Sequence, residues 1–169
     1  MAKHFNITGE LTRELLAAGS NINVSSVSLT NVDSSHTSIV DLYIEKKLTG
    51  KFYLLKGVEL PIGTTLIYND IRFSNITGEF GLYIKLTDGA TFTLTGSIDP
   101  AASTTVPGVN TLFLSEVSVG DEIVVTGETR IVASIASNTE LEVTVATTNT
   151  LNDTTPDCNP TALVDVIIN

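Results

Sequence analysis

The chain has no tryptophan, one cysteine and two histidines in 169 residues. A single thiol, Cys158, rules out an intramolecular disulfide and any zinc site built from several thiolates. Without tryptophan, and with aromatics at only 6%, a sugar cleft lined by large rings is poorly supplied. Basic residues are scarce too. Lys and Arg total 9 against 19 Asp and Glu, a net charge of −10, and no basic cluster extends beyond Lys46 and Lys47. Duplex nucleic acid and anionic membrane surfaces both demand a basic face, so neither is an expected partner. No apolar run approaches the length of a membrane span, and MAKHFNITGE has no apolar segment of the kind that makes a secretory signal. The expected site of synthesis is a reducing cytoplasm.

Charged residues as a whole make up only 17%, while hydrophobic residues reach 42%. Thr, Ser and Asn occupy the remaining polar positions. These residues suit pleated strands and turns and compete with helical hydrogen bonds, which points to an all-β protein. A surface so low in charge suits a protein embedded in an assembly.

The most regular pattern lies in NVSSVSLTNVDSSHTSIVDLYI (Asn23 to Ile44). Val24, Val27 and Leu29 alternate before a turn-forming segment, Asn31 to Ser38; Ile39, Leu42 and Ile44 carry the apolar beat after it. The spacing predicts a long antiparallel hairpin. Residues 3–7 form an expected first strand. Residues 8–19, TGELTRELLAAG, fit both a strand and a short helix ending at Gly19. Further strands are predicted at KFYLLK (51–56), set off by a Leu48-Thr49-Gly50 turn, and at TLIYN (65–69) and FGLYIKL (80–86), with a bend at Pro61 to Gly63 and a loop or edge strand over 70–79.

After Asp88-Gly89 the composition changes. Residues 90–159 are rich in Thr and Val, with strands expected at ATFTLTG, EIVVTG, TRIVASI and ELEVTVAT. Roughly five strands of this kind make a small β-barrel. LNDTTPDCNP (Leu151 to Pro160) reads as a linker, and ALVDVIIN as a terminal strand whose most economical partner is Phe80 to Leu86. The expected architecture is therefore all-β. Residues 1–89 plus 160–169 form a jelly-roll-like β-sandwich host of about eight strands, and residues 90–159 an inserted small β-barrel.

No residue is assigned a catalytic, cofactor-binding or metal-binding role. His36 lies beside Asp33 and several serines on an expected turn, without the Gly-x-Ser-x-Gly elbow that presents a nucleophile. Asp121-Glu122 and Asp153 with Asp157 are carboxylate pairs lacking calcium-loop spacing; the second is the better candidate for a cation. Tyr43, Tyr53, Tyr68 and Tyr83 fall on separate strands of the host, positioned to stack on a sheet face, to reach an assembly contact or to meet carbohydrate. Asn6, Asn23, Asn75 and Asn152 begin N-x-Ser/Thr triplets, read as compositional. Cys158 reads as inert.

Two stretches carry a family likeness. INVSSVSLTNVDSSHTSIVDLYI, FYLLKGVELPIGTTLIYND and GLYIKL together resemble small β-sandwich virion proteins of tailed bacteriophages, notably marine and cyanobacterial ones. TTVPGVNTLFLSEVSVGDEIVVTGETRIVASIASNTELEV resembles a recurring phage structural module of the LSVGDEIVV-GETR type. The resemblance implies a non-enzymatic virion protein, made in the host bacterial cytoplasm and present in many copies. It would be a capsid decoration or head/neck surface protein, with other virion proteins as partners and a symmetric oligomer as its form. The rival expectation is a tail-tip, baseplate or fibre component that binds host carbohydrate or receptor. No catalytic residues come with either module.

Overall fold

A computed structural model describes residues 2–9, 12–46, 50–76 and 78–169. The expected turn at Leu48-Thr49-Gly50, the Lys47 partner of Lys46, and Leu11 fall wholly or partly outside them. The described chain is almost entirely antiparallel β-structure. It divides into two compact units. The first comprises Met1–Asp33, Thr37–Asp88 and Ala162–Asn169; the second comprises Ser34–His36 and Gly89–Thr161.

In the first unit ten strands are formed among the described residues. They are β1 (Lys3–Thr8), β2 (Thr12–Leu16), β3 (Asn23–Val24), β4 (Val27–Asn31), β5 (Ser38–Lys46), β6 (Gly50–Leu60), β7 (Thr65–Tyr68), β8 (Phe73–Ser74), β9 (Gly81–Thr87) and, after the second unit's residues, β17 (Leu163–Ile168). One sheet has the order β1-β17-β4-β7, the other β2-β9-β5-β6, and β3 pairs with β8 as a small separate ribbon. Leaving that ribbon aside and counting the eight long strands along the chain, the orders are 1-8-3-6 and 2-7-4-5. This is the interleaving of a jelly roll, in which successive strands, the β5–β6 hairpin excepted, pass from sheet to sheet. Alternation explains the sandwich. In β4, β9 and β17 every second residue is buried, and Val27, Leu29, Leu82, Ile84, Leu86, Val164 and Val166 meet in one core.

The topology corrects two expected pairings. Asn23 to Ile44 is no hairpin: β4 pairs with β17 and β7, while β5 pairs with β6 and β9 in the other sheet. Nor does ALVDVIIN pair with Phe80 to Leu86; β17 lies between β1 and β4. Alternation states which face of a strand is apolar, but not which neighbour completes its hydrogen bonds, and a jelly roll sends chain neighbours to opposite sheets. The buried beat of β5 is also shifted to Val40 and Leu42, with Ile39 and Ile44 only half-buried. Residues 12–16 of the ambiguous segment are strand, with Leu15 and Leu16 both buried across a bulge opposite β9. β6 runs past Lys56, its expected end, to Leu60, and the expected bend follows at Pro61 to Gly63, closed by the Thr64 N–H donating to Pro61 O. The strand bulges twice against β5, and Gly57, at φ +60°, occupies one bulge and donates its N–H to Asp41.

The second unit has β10 (Phe92–Thr93), β11 (Ser97–Ile98), β12 (Thr105–Val109), a single helical turn α1 (Phe113–Glu116), β13 (Glu122–Val125), β14 (Glu128–Ser137), β15 (Glu140–Val143) and β16 (Asp157–Asn159). Its seven strands form one sheet, β10-β16-β13-β14-β15-β12-β11, which is not a closed barrel. An isolated bridge from Ile98 to Asp153 adds one further antiparallel contact. The stretch expected as a linker contains β16, whose Cys158 is fully buried against Ile123 and Phe92. Ile98, Val106, Phe113, Ile123, Val125 and Leu141 form a core of its own. Strands here are shorter, and polar side chains do more of the fastening.

Candidate functional site

Two arrangements stand out, one in each unit. The first is a row of side chains across the outer face of the β2-β9-β5-β6 sheet. Glu14, Tyr83, Tyr43 and Tyr53 are direct cross-strand partners in that order. Residues opposite one another on adjacent strands share a face, so strand register alone assembles the row. The Tyr43 ring stacks on Tyr83 at 5.7 Å and tilts against Tyr53 at 5.5 Å. Lys51 Nζ lies 4.5 Å above the Tyr43 ring and donates to its hydroxyl at 3.2 Å. That hydrogen bond holds the Lys51 ammonium above its usual pKa. Tyr43 is thereby only 1% exposed although it lies outside the aliphatic core.

Tyr53 stays 44% exposed, with Lys56 Nζ 4.8 Å above its ring. Tyr83 donates to Glu14 Oε1 at 2.9 Å, and burial followed by this carboxylate pushes its phenol up to about 12. It therefore remains a donor at every physiological pH. Beside Tyr83 lies a cleft of about 820 Å³, lined by Glu14, Ala17, Ala18, Glu45, Lys46, Gly78 and Glu79. Rings held at fixed angles with cations above them offer a stacking surface for another apolar or sugar face. Of the four expected tyrosines, three stack on one sheet face; Tyr68 is on β7 in the other sheet.

The second arrangement centres on Asp121, which is completely buried. It follows Gly120, at φ +100°, in a turn closed by the Asp121 N–H donating to Ser118 O. Its carboxylate collects backbone donors: Ser118 N–H on Oδ2 at 2.7 Å and Thr161 N–H on Oδ1 at 2.8 Å. His36 Nδ1 stands 3.5 Å from the same Oδ2, and Cys158 Sγ 3.8 Å from it. His36 Nε2 lies 3.1 Å from Glu116 O, and the imidazole leans on the Phe92 ring at 5.6 Å. One atom from each of His36, Asp121 and Cys158 falls within 4.8 Å of the others. Among the described residues this is the one group of three metal-capable side chains so close.

The expected carboxylate pairs are not brought together in this way. Asp121 turns inward, whereas its neighbour Glu122 begins β13 half-buried. Asp153 accepts from the Thr126 and Thr155 N–H groups, and Asp157 from the Thr93 hydroxyl. Both are occupied in fastening loops. His36 meets Asp121, a carboxylate remote from it in sequence. In a Cys-His-Asp triad the imidazole stands between thiol and carboxylate; here the carboxylate stands between, an order unsuited to activating the sulfur. Asn75, a glycosylation triplet by sequence, is buried and bonded to Ala17 O, Ser20 Oγ and Ile22 N–H. Sequence reasoning missed the grouping of His36, Asp121 and Cys158 because no local spacing links them. The one available clue was the Gly120-Asp121 bend in SVGDEIVV, where an Asp side chain serves the turn. No helix among the described residues is long and apolar enough to cross a membrane. No protein-family model, curated protein or solved structure matches the chain.

Proposed function

We infer that the chain is a non-enzymatic structural protein of a tailed-phage virion, a capsid decoration or head/neck surface protein that docks on neighbouring virion proteins. The motif resemblance supports this class, and the jelly roll is an architecture that recurs in capsid proteins. The observation that carries the docking mode is the tyrosine row. It is exposed at Tyr53, and its rings are already fixed by Tyr43, Lys51 and Glu14, so little side-chain freedom is lost on contact. Strand addition is the weaker mode. β17 has neighbours on both sides, and the β6 edge is bulged twice and studded with Lys51 and Lys56, which discourage edge pairing.

One observation favours the rival reading, a tail-tip module binding host carbohydrate. The cleft beside Tyr83 offers Glu14, Glu45, Glu79 and Lys46 next to an aromatic edge. Copy number in purified virions separates the two. Quantitative mass spectrometry scaled to the major capsid protein is expected to give about one chain per capsid protein or per capsomer. A few copies per particle would favour the tail reading, and absence from particles would overturn both. Under the docking reading, Tyr53→Ser lowers incorporation into particles at unchanged thermal stability.

A further inference from the structure

We propose that His36, Asp121 and Cys158 form a binding site in the second unit for a borderline-soft divalent cation, zinc by preference. The argument begins with the imidazole. Glu116 O can only accept a hydrogen bond, so His36 Nε2 carries a proton. In a neutral ring Nδ1 is then a lone pair, and it faces the Asp121 carboxylate oxygen at 3.5 Å. Two electron-rich atoms stand in that relation comfortably only with a cation between them, either a proton on Nδ1 or a metal ion. The third group argues for the metal. The Cys158 thiol donates a long hydrogen bond to the same oxygen at 3.8 Å, which brings its sulfur to the point that the His36 nitrogen and the Asp121 oxygen already face. Nitrogen, oxygen and sulfur together are the donor set of a borderline-soft cation.

The dimensions agree. With Nδ1–Oδ2 at 3.5 Å, Sγ–Oδ2 at 3.8 Å and no pair more than 4.8 Å apart, a point equidistant from the three atoms lies about 2.4 Å from each. Zinc bonds run about 2.0–2.3 Å, so closure needs a few tenths of an ångström. The surroundings match a metal shell as well. A ligating histidine characteristically donates its other N–H to a carbonyl, as His36 does to Glu116, and a ligating carboxylate is itself held, as Asp121 is by Ser118 and Thr161 N–H. Three protein ligands leave a fourth position for water. On binding, the Cys158 thiol proton is displaced to solvent as sulfur bonds the ion, with no change of oxidation state. The bound ion would tie the 34–36 segment, the Ser118–Asp121 turn and β16 together, three segments remote in sequence.

The test is titration of the metal-free protein with cobalt(II), then displacement by zinc. One equivalent of cobalt is expected to give a thiolate-to-metal charge-transfer band and intense tetrahedral visible bands, both erased by zinc. Zinc is also expected to raise the thermal midpoint reversibly, with a chelator undoing the rise. Cys158→Ser should abolish the charge-transfer band. Because that position is fully buried and the variant could misfold, His36→Gln serves as the second variant and should weaken binding at least 100-fold. The proposal is overturned if wild type shows no thiolate band at excess cobalt, which would leave a His36–Asp121 ion pair. It is equally overturned if His36→Gln binds as tightly as wild type.

Discussion

The two units solve the same problem, an antiparallel β-fold without disulfides, by different means. The first relies on length and alternation. β5, β6 and β9 present aliphatic side chains to a shared core, and the tyrosine row lies on the opposite face as a second layer. The second has shorter strands and longer connections, and uses carboxylates as fasteners. Asp121 gathers Ser118 and Thr161, Glu116 takes the Thr95 N–H and hydroxyl, Glu128 holds Thr148 and Asn149, and Asp153 holds Thr126 and Thr155. An ionised carboxylate accepts several N–H groups at once, which suits loops whose backbone donors have no ladder partner. Acidic composition is thus partly structural here.

The sharpest way to break the comparison is to strike each core separately. Phe113→Ala removes the largest side chain buried in the second unit and is expected to cost about 3–5 kcal/mol. Leu82→Ala, fully buried in the first, is expected to cost about 2–5 kcal/mol. The two cores share no buried residue, so each variant should lower the denaturant midpoint of its own unit. Tyr43 and Tyr53 fluorescence reports the first unit, since all four tyrosines belong to it. A single transition moved equally by both variants would show the units to be energetically one.

A smaller effect tests the fasteners. Asp121→Asn keeps the shape but replaces one acceptor oxygen by a donor that faces a backbone N–H. Leaving such a buried group unsatisfied is expected to cost about 1–3 kcal/mol in the second unit. Chemical denaturation measures it, and loss of under about 0.5 kcal/mol would argue that the turn holds without its carboxylate.

What could be read in the sequence follows the same division. Alternation in residues 80–86 and the run of β-branched residues in ALVDVIIN predict strands where β9 and β17 lie, and the switch in style after Asp88 falls where the second unit resumes. Pairing was illegible. Asn31 to Ser38 has the chemistry of a tight turn, yet it links strands in different sheets, with Asn31 buried and donating to Leu60 O. Its residues Ser34 to His36 belong to the second unit. The grouping of His36, Asp121 and Cys158 depends on that long-range placement, so spacing along the chain could not show it. The short β16 was hidden in polar residues because its one inward side chain is a cysteine, not an aliphatic residue.

Local geometry gives a prediction of opposite sign. The β13–β14 hairpin closes through Thr126 and Gly127, both at positive φ, 48° and 81°. A two-residue turn of this kind favours Asn-Gly, and a β-branched residue in the left-handed region is strained. Thr126→Asn is expected to stabilise the second unit by about 0.5–1 kcal/mol, measured as a raised midpoint. A lowered midpoint would mean that the Thr126 hydroxyl bond to Val125 O outweighs the relief.

The smallest effect is read as a slope against pH. Hydrogen bonds from the Thr148 hydroxyl and N–H, then from Asn149, with the Arg130 guanidinium beside it, lower Glu128 from 4.5 to about 2. A carboxyl depressed in the folded state binds its proton more readily when unfolded. Its contribution is therefore complete above about pH 4.5 and is lost progressively as pH falls towards 2. The site is open to water, which screens the effect and keeps it modest. Glu128→Gln should flatten the stability profile of the second unit between pH 4.5 and 2 while leaving the first unit's profile unchanged. An unaltered slope in the variant would show that the hydrogen bonds Glu128 accepts from Thr148 and Asn149 contribute nothing to the acid sensitivity of the second unit, and that this carboxylate fastener is dispensable to its fold.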